Sequence, residues 1–353
     1  MSDLQEITIQ LQDGDDLSQA ESMDAAEMLT EPGIDLSEKK EFLVALHKKG
    51  ESVEEVTAFA KVFRQLATDP KLSEFTANAI DIVGTGGSGS KGFNISSTTA
   101  FILAAAGIRV LKHGNRAITS QSGAADFLGQ HGIRMDTDPE KLRAAVKELN
   151  FCFFFAPAFH PAFKEIMPVR MALAEEGQRT IFNILGPLIN PAKPAHQLLG
   201  VFQKDWVKPL AGALDQLGLN RGLAVCSELP GGGFMDEFTT AGSNRVCGFG
   251  GLSSVDKILS PDQLGFPPAD PEELKGGTAE ENVALLEAIL DGKGRPGLVD
   301  TIVLNAACAF LIMERVESIG EGCALARETL LSGDLRAWLT KARAFYRDTG
   351  DSE

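Results

Sequence analysis

A chain of 353 residues can bury more than one core, and 44% hydrophobic with 23% charged residues is the balance of an ordinary globular protein. The formal charge of −16 argues against nucleic acid as a partner, because such binders draw affinity from neutralising phosphates, and no apolar run reaches the ~18 residues of a spanning helix. Five cysteines (Cys152, Cys226, Cys247, Cys308, Cys323) are scattered without a C-x-x-C pair, which argues against a zinc site or disulfide frame and for reduced thiols in the cytoplasm.

Residues 1–15 are acidic and polar with a weak alternation at Ile7, Ile9 and Leu11, and read as a loose extension. From Asp16 the pattern turns helical, over 17–29, Leu36–Lys48 and Ser52–Ala67, with Gly50 and Pro70 as stops. Short helices without strands predict a small all-helical domain. From Ile80 the pattern alternates. Strand-like runs are Ile80–Val83, Ile108–Leu111, Phe151–Phe155, Leu198–Phe202, Gly222–Cys226 and Thr301–Leu304. Helical runs include Thr99–Ala106, Ala124–Gln130, Pro139–Leu149, Val207–Leu217, Ala279–Leu290 and Ala306–Val316. Such alternation predicts a larger α/β domain with a mostly parallel central sheet. His160–Leu185 breaks it with two helical stretches in a row.

The chemistry concentrates between Asp81 and Asp126. An apolar run ending Asp-Ile-Val leads into a turn with Gly84, Gly86, Gly87 and Gly89, where backbone can approach a ligand closely. Asn94, Ser96, Ser97 and Thr98 follow at the head of an alanine-rich helix, where unpaired amides favour a phosphate. A second apolar run delivers Lys112, His113, Gly114, Asn115 and Arg116. The glycines satisfy G-x-G-x-x-G, yet a dinucleotide site needs a helix directly afterwards and an acidic residue about 20 positions on. Here the helix is delayed, and the second strand ends in Lys112, which suits a ligand richer in phosphate.

GTGG, NISS and KHGNR in this order and spacing resemble the phosphoribosyl pyrophosphate site of the anthranilate phosphoribosyltransferase family. HPAFKEIMPVR (160–170), RTIFNILGPLINPA (179–192), MDEF (235–238) and GGTAEENVALL (276–286) extend the resemblance from about residue 20 to the C-terminus. It implies a helical domain of 1–77 with 162–190, an α/β donor-binding domain of 78–161 with 191–353, a cleft between them, and a homodimer formed through the helical domain. It implies transfer of a 5-phosphoribosyl group to the anthranilate amine in tryptophan biosynthesis. The donor-binding set would be Gly84, Thr85, Gly87, Ser88, Gly92, Asn94, Ile95, Ser96, Ser97, Lys112, His113, Gly114, Asn115, Arg116, Ser120 and Ala124. The anthranilate-binding set would be Gly84, Asn115, His160 and Arg170.

Asp236 and Glu237 are adjacent carboxylates after a glycine-rich loop. By themselves they are an ordinary surface pair; at the place where the family carries such a pair, they would hold Mg²⁺ with the Ser96 hydroxyl. Arg170 offers the planar fork that fits a carboxylate. No general acid or base is assigned, because an aniline-type amine is neutral at pH 7. The chain departs from the family where Ser88 replaces an aspartate, Gly92 a polar residue and Ser97 a threonine. Short extra pieces occur at 175–177 and 230–233. A paralogue with another aromatic acceptor, a pyrimidine nucleoside phosphorylase and a non-catalytic nucleic-acid-binding relative are the alternatives. The acidic charge and the retained carboxylates and Arg170 disfavour the last.

Overall fold

The computed structural model describes residues 2–87, 92–116 and 121–348, so Ser88 and Ser120 lie outside the described residues. Helices open the chain: α1 (Asp3–Gln12), α2 (Gln19–Met28), α3 (Leu36–Lys49), α4 (Val53–Gln65) and the single turn α5 (Ser73–Thr76). Ser2, Ser18 and Ser52 cap α1, α2 and α4, each answered by the third helical residue in a capping box that pairs amides the first turn leaves free.

Helix α1 overturns the expectation of a loose extension over 1–15. The apparent alternation at Ile7, Ile9 and Leu11 was the wrong period. The buried stripe is Leu4, Thr8 and Leu11, at helical spacing, while Ile9 faces outward.

The alternating part runs β1 (Ala79–Gly84), α6 (Ile95–Ala105), β2 (Arg109–Gly114), α7 (Ala124–Gln130), α8 (Pro139–Leu149), β3 (Phe151–Phe155) and the turn α9 (Ala156–Phe159). The chain then enters α10 (Met167–Glu175) and α11 (Phe182–Leu185), which pack against α3 and α4 respectively. It continues through β4 (His196–Gly200), α12 (Val207–Gln216), β5 (Arg221–Glu228), β6 (Phe234–Met235), β7 (Ser243–Gly250) and β8 (Asp256–Leu259). Helices α13 (Ala279–Leu290), α14 (Pro296–Ile312), α15 (Ile319–Leu331) and α16 (Asp334–Asp348) complete it.

The sheet order is β3-β2-β1-β4-β5-β7-β8, with β6 pairing the end of β5. Strands β3, β2, β1, β4 and β5 are mutually parallel, and β6, β7 and β8 add an antiparallel extension. The architecture is α/β, with a helical part and a larger sheet-containing part. The period-2 rule divides the sheet faces. Ile80, Ile82, Leu223 and Val225 join a core with α6, α14 and α16. Val83, Ala224 and Cys226 join a second core shared by α12 and the opening helices.

The expected strand Thr301–Leu304 is instead the middle of α14. An apolar run buried on all sides has no diagnostic period, and Pro296 at the first helical turn starts one long helix through both runs. Among the described residues, no helix is long and apolar enough to cross a membrane.

Candidate active site

The order 3-2-1-4-5 reverses direction between β1 and β4, and a cleft opens at the carboxyl ends of these strands, the usual ligand position in an open α/β sheet. Its volume is about 380 Å³. Gly84, Thr85, Gly87, Gly92, Asn94, Ser96, Lys112, His113, Gly114, Asn115, Arg116, Ala124, Asp236 and Glu237 line it, and Arg170, Phe182 and Asn183 face it from the helical side. Ile95 and Ser97 belong to the first turn of α6 but are buried away from the cleft. His160 stands behind His113, its Nε2 3.2 Å from His113 Nε2.

The floor of the cleft is a buried polar network. Asp81, on β1, accepts bonds from the His113 amide at 3.2 Å and from Asn190 Nδ2 at 2.8 Å. Burial pushes its carboxyl up to about 6, against the pull of nearby Lys112. Lys112 is 1% exposed, its Nζ donates to the Ile82 carbonyl, and burial holds its pKa below the usual lysine range. Burial depresses His113 to about 3 and His160 to about 4, so both rings are neutral at pH 7 and one donates to the other.

The glycine turn needs left-handed backbone at Gly86 (φ 67°) and Gly87 (φ 74°). Thr85 accepts a bond from the Phe202 amide at 2.9 Å through its hydroxyl, so that side chain braces the loop. The extra residues at 230–233 form the β5–β6 hairpin turn, with positive φ at Gly231, Gly232 and Gly233, and the hairpin delivers Asp236 and Glu237 to the cleft. Asp236 Oδ2 accepts from the Gly86 amide at 3.0 Å, and Glu237 Oε1 accepts from the Ser96 amide at the start of α6 at 2.9 Å. A Cβ on Gly84 would lie 2.5 Å from Asp236 Oδ2, and one on Gly200 would lie 1.5 Å from the Asp236 carbonyl.

Burial and the Asp236 carboxylate raise Glu237 well above the ordinary carboxylate range. A half-buried carboxylate pair that repels itself, with an oxygen-only donor set and the Ser96 hydroxyl beside it, fits a hard divalent cation. Among the described residues no third His, Cys, Asp or Glu joins this pair, so water or substrate oxygens would complete such a shell.

Arg170 lies 5.3 Å from the ring centroids of both Phe163 and Phe182, and burial lowers its pKa. The guanidinium packs against both rings, and among the described residues it makes no ion pair. A desolvated, unpaired fork facing a cleft is suited to a carboxylate.

Known proteins share this fold. A family model described as "Glycosyl transferase family, helical bundle domain" matches residues 5–67, and one described as "Glycosyl transferase family, a/b domain" matches 76–335. The chain is 41% identical to an anthranilate phosphoribosyltransferase of Petrotoga mobilis over 91% of this chain and 90% of that one. The chain belongs to the anthranilate phosphoribosyltransferase family. Among solved members, the Thermus thermophilus enzyme superposes with a TM-score of 0.87 at 38% identity, covering 98% of this chain and 100% of that one. The Saccharomyces cerevisiae enzyme, solved in complex with PRPP and Mg, gives 0.80 at 25% identity, with 98% of each chain covered.

Sequence reasoning missed the residues that hold the cleft in place. Asn282 donates to Asn94 Oδ1 at 2.7 Å and accepts from the Gly277 amide at 2.8 Å, which ties the GGTAEEN turn to the cleft. Asn305, on α14, bonds both the amide and the carbonyl of Phe238, and the Ser227 hydroxyl donates to the Glu237 carbonyl at 2.6 Å. Asn305 carried a signal: it is a polar residue inside the apolar run of α14, where an amide needs buried partners.

Proposed function

We propose that this chain transfers the 5-phosphoribosyl group from phosphoribosyl pyrophosphate to the amine of anthranilate, giving N-(5-phosphoribosyl)anthranilate and pyrophosphate in tryptophan biosynthesis. One observation carries the reading. Asp236 and Glu237 meet the glycine turn and the α6 N-terminus in a single cleft, and Arg170 faces it from the helical side.

The donor's ribose phosphate and hydroxyls lie along Asn94, Ser96, Lys112, Gly114, Asn115, Arg116 and Ala124, with Ser120 and Ser88 assigned from sequence. Its pyrophosphate lies at the Gly84–Gly87 turn beside Asp236 and Glu237, which with Ser96 hold Mg²⁺. When bound, that ion offsets charge on the departing pyrophosphate. Anthranilate sits with its carboxylate on Arg170 and its ring against Gly84, Asn115 and the His113–His160 side. The amine nitrogen bonds to ribose C1 as the C–O bond to pyrophosphate breaks, and the amine proton passes to solvent. The chain's part is alignment and electrostatics; the neutral amine needs no base before attack.

The chain works in the cytoplasm, consistent with cysteines that are all free. It pairs with a second copy through the helical part, where Ile9, Leu36 and Met171 are exposed. Light scattering at micromolar concentration tests the pairing: twice the monomer mass supports it, and a monomer rejects it. For the reaction, anthranilate fluorescence is followed with donor and Mg²⁺ present. A decay that needs both supports the transfer, and steady fluorescence contradicts it.

A further inference from the structure

Arg179 is a cation at the glycine turn to which neither the motifs nor the reading above gives a role. It sits between α10 and α11, where its backbone is fixed on both sides. The Gln178 amide donates to the Leu173 carbonyl at 2.8 Å, Gln178 Nε2 donates to the Arg179 carbonyl at 2.9 Å, and the Thr180 amide donates to Asn183 Oδ1 at 2.8 Å. Its guanidinium carbon lies 4.1 Å from the centroid of the Phe202 ring, and Nη2 donates to the Gly87 carbonyl at 3.5 Å. Phe202 is itself tied to the turn, since its amide donates to Thr85 Oγ1. The charged group is therefore parked on a buried aromatic platform at the outer edge of the loop.

Among the described residues, the other cations lining the cleft are engaged. Lys112 is buried against the Ile82 carbonyl and the Asp81 and Glu237 carboxylates, Arg116 pairs with Asp126 at 3.5 Å, and Arg170 packs against two rings. Among the described residues Arg179 has no ion pair, and one long bond uses little of its donor capacity. On the opposite side the Gly86 amide is bound by Asp236, so the turn lies between a carboxylate and a guanidinium.

We infer that Arg179 is a donor-affinity residue whose stacked guanidinium supplies positive charge to the pyrophosphoryl group at the Gly84–Gly87 turn. It covers the Gly87 carbonyl oxygen, a partial negative charge that would repel an anion, and leaves other N–H groups for a phosphate oxygen. Because it stands on the segment that also carries Arg170, it reaches the donor from the acceptor's side of the cleft. The inference rests on the donor assignment proposed above.

Arg179→Ala and Arg179→Lys test it, with two readouts: calorimetric Kd for pyrophosphate plus Mg²⁺ without acceptor, and donor and anthranilate KM in turnover. For Arg179→Ala, pyrophosphate Kd and donor KM rise about five- to thirtyfold, the range for losing one partly exposed charge-assisted contact, while anthranilate KM changes less than about twofold. Lysine keeps the charge without the stacking fork and recovers part of the loss. Unchanged pyrophosphate affinity in Arg179→Ala, or an anthranilate KM that rises as much as the donor KM, overturns the inference. Wild-type turnover with anthranilate reports separately on the proposed reaction, so the two failures are distinguishable.

Discussion

Glu237 Oε1 and the Ser96 amide are 2.9 Å apart, so the hairpin carrying the carboxylate pair is tied to the N-terminus of α6. The helix end supplies the partial positive charge that lets Glu237 sit beside Asp236. Replacing Asp236 or Glu237 by Ala removes most turnover, because each is proposed to act on the donor through Mg²⁺, and leaves the fold intact, because the hairpin backbone is held separately by Ser227 and Asn305. Turnover across a Mg²⁺ titration together with circular dichroism checks both halves. Near-normal rates at limiting Mg²⁺ would contradict the assignment.

Arg170→Ala raises anthranilate KM about ten- to a hundredfold, the worth of a charge-assisted bond to a carboxylate, and changes donor KM far less. Steady-state kinetics with each substrate varied gives the answer. An unchanged anthranilate KM would place the acceptor elsewhere.

Gly84 and Gly200 both pack against Asp236 but against different atoms. Gly200→Ala meets a backbone carbonyl that cannot swing away, so it loses about 1–3 kcal/mol of stability along with turnover. Gly84→Ala meets the far end of the Asp236 side chain, so turnover falls while the melting temperature stays near that of the parent. Equal effects of the two substitutions on melting would contradict this separation.

Much of this site was legible in the sequence, because the glycine turn, the NISS cap region and KHGNR are contiguous and sit where a strand ends and a helix begins. Other features were not. Residues 3–12 read as part of a loose extension because the weak alternation of Ile7, Ile9 and Leu11 hid the helical stripe of Leu4, Thr8 and Leu11. Thr301–Leu304 looked like a strand because α14 is buried on every face. Strands β7 and β8 escaped notice because their polar residues (Ser243, Asn244, Arg245, Asp256, Lys257) and glycines interrupt any alternation. Bracing residues such as Asn282 and Asn190 lie inside the GGTAEENVALL and RTIFNILGPLINPA runs, but only the fold brings them to Asn94 and Asp81.

Stability falls on acidification through buried neutral histidines. His131 is 1% exposed, accepts from Arg343 Nη2 at Nδ1 (3.1 Å), and is held at about 4 by burial and that guanidinium. A base whose folded pKa is depressed contributes fully above its unfolded value near 6.5 and loses that contribution as pH falls toward 4, because unfolding then takes up a proton. The loss is about 3 kcal/mol for His131 alone, and His113 and His160 act in the same direction. The raised carboxyls of Asp81 and Glu237 act in the opposite direction. Urea unfolding of the parent and His131→Leu at pH 7 and pH 4.5 checks this: the variant loses less on acidification. Equal losses in both proteins would contradict it.

The central claim is that one cleft couples departure of pyrophosphate to attack by the anthranilate amine. Its most direct test is the ratio of pyrophosphate released to anthranilate consumed, measured with Mg²⁺ and donor in the presence and absence of anthranilate. The account predicts one pyrophosphate per anthranilate and almost none without the acceptor. Equal pyrophosphate release without anthranilate, or no release with it, would contradict the account.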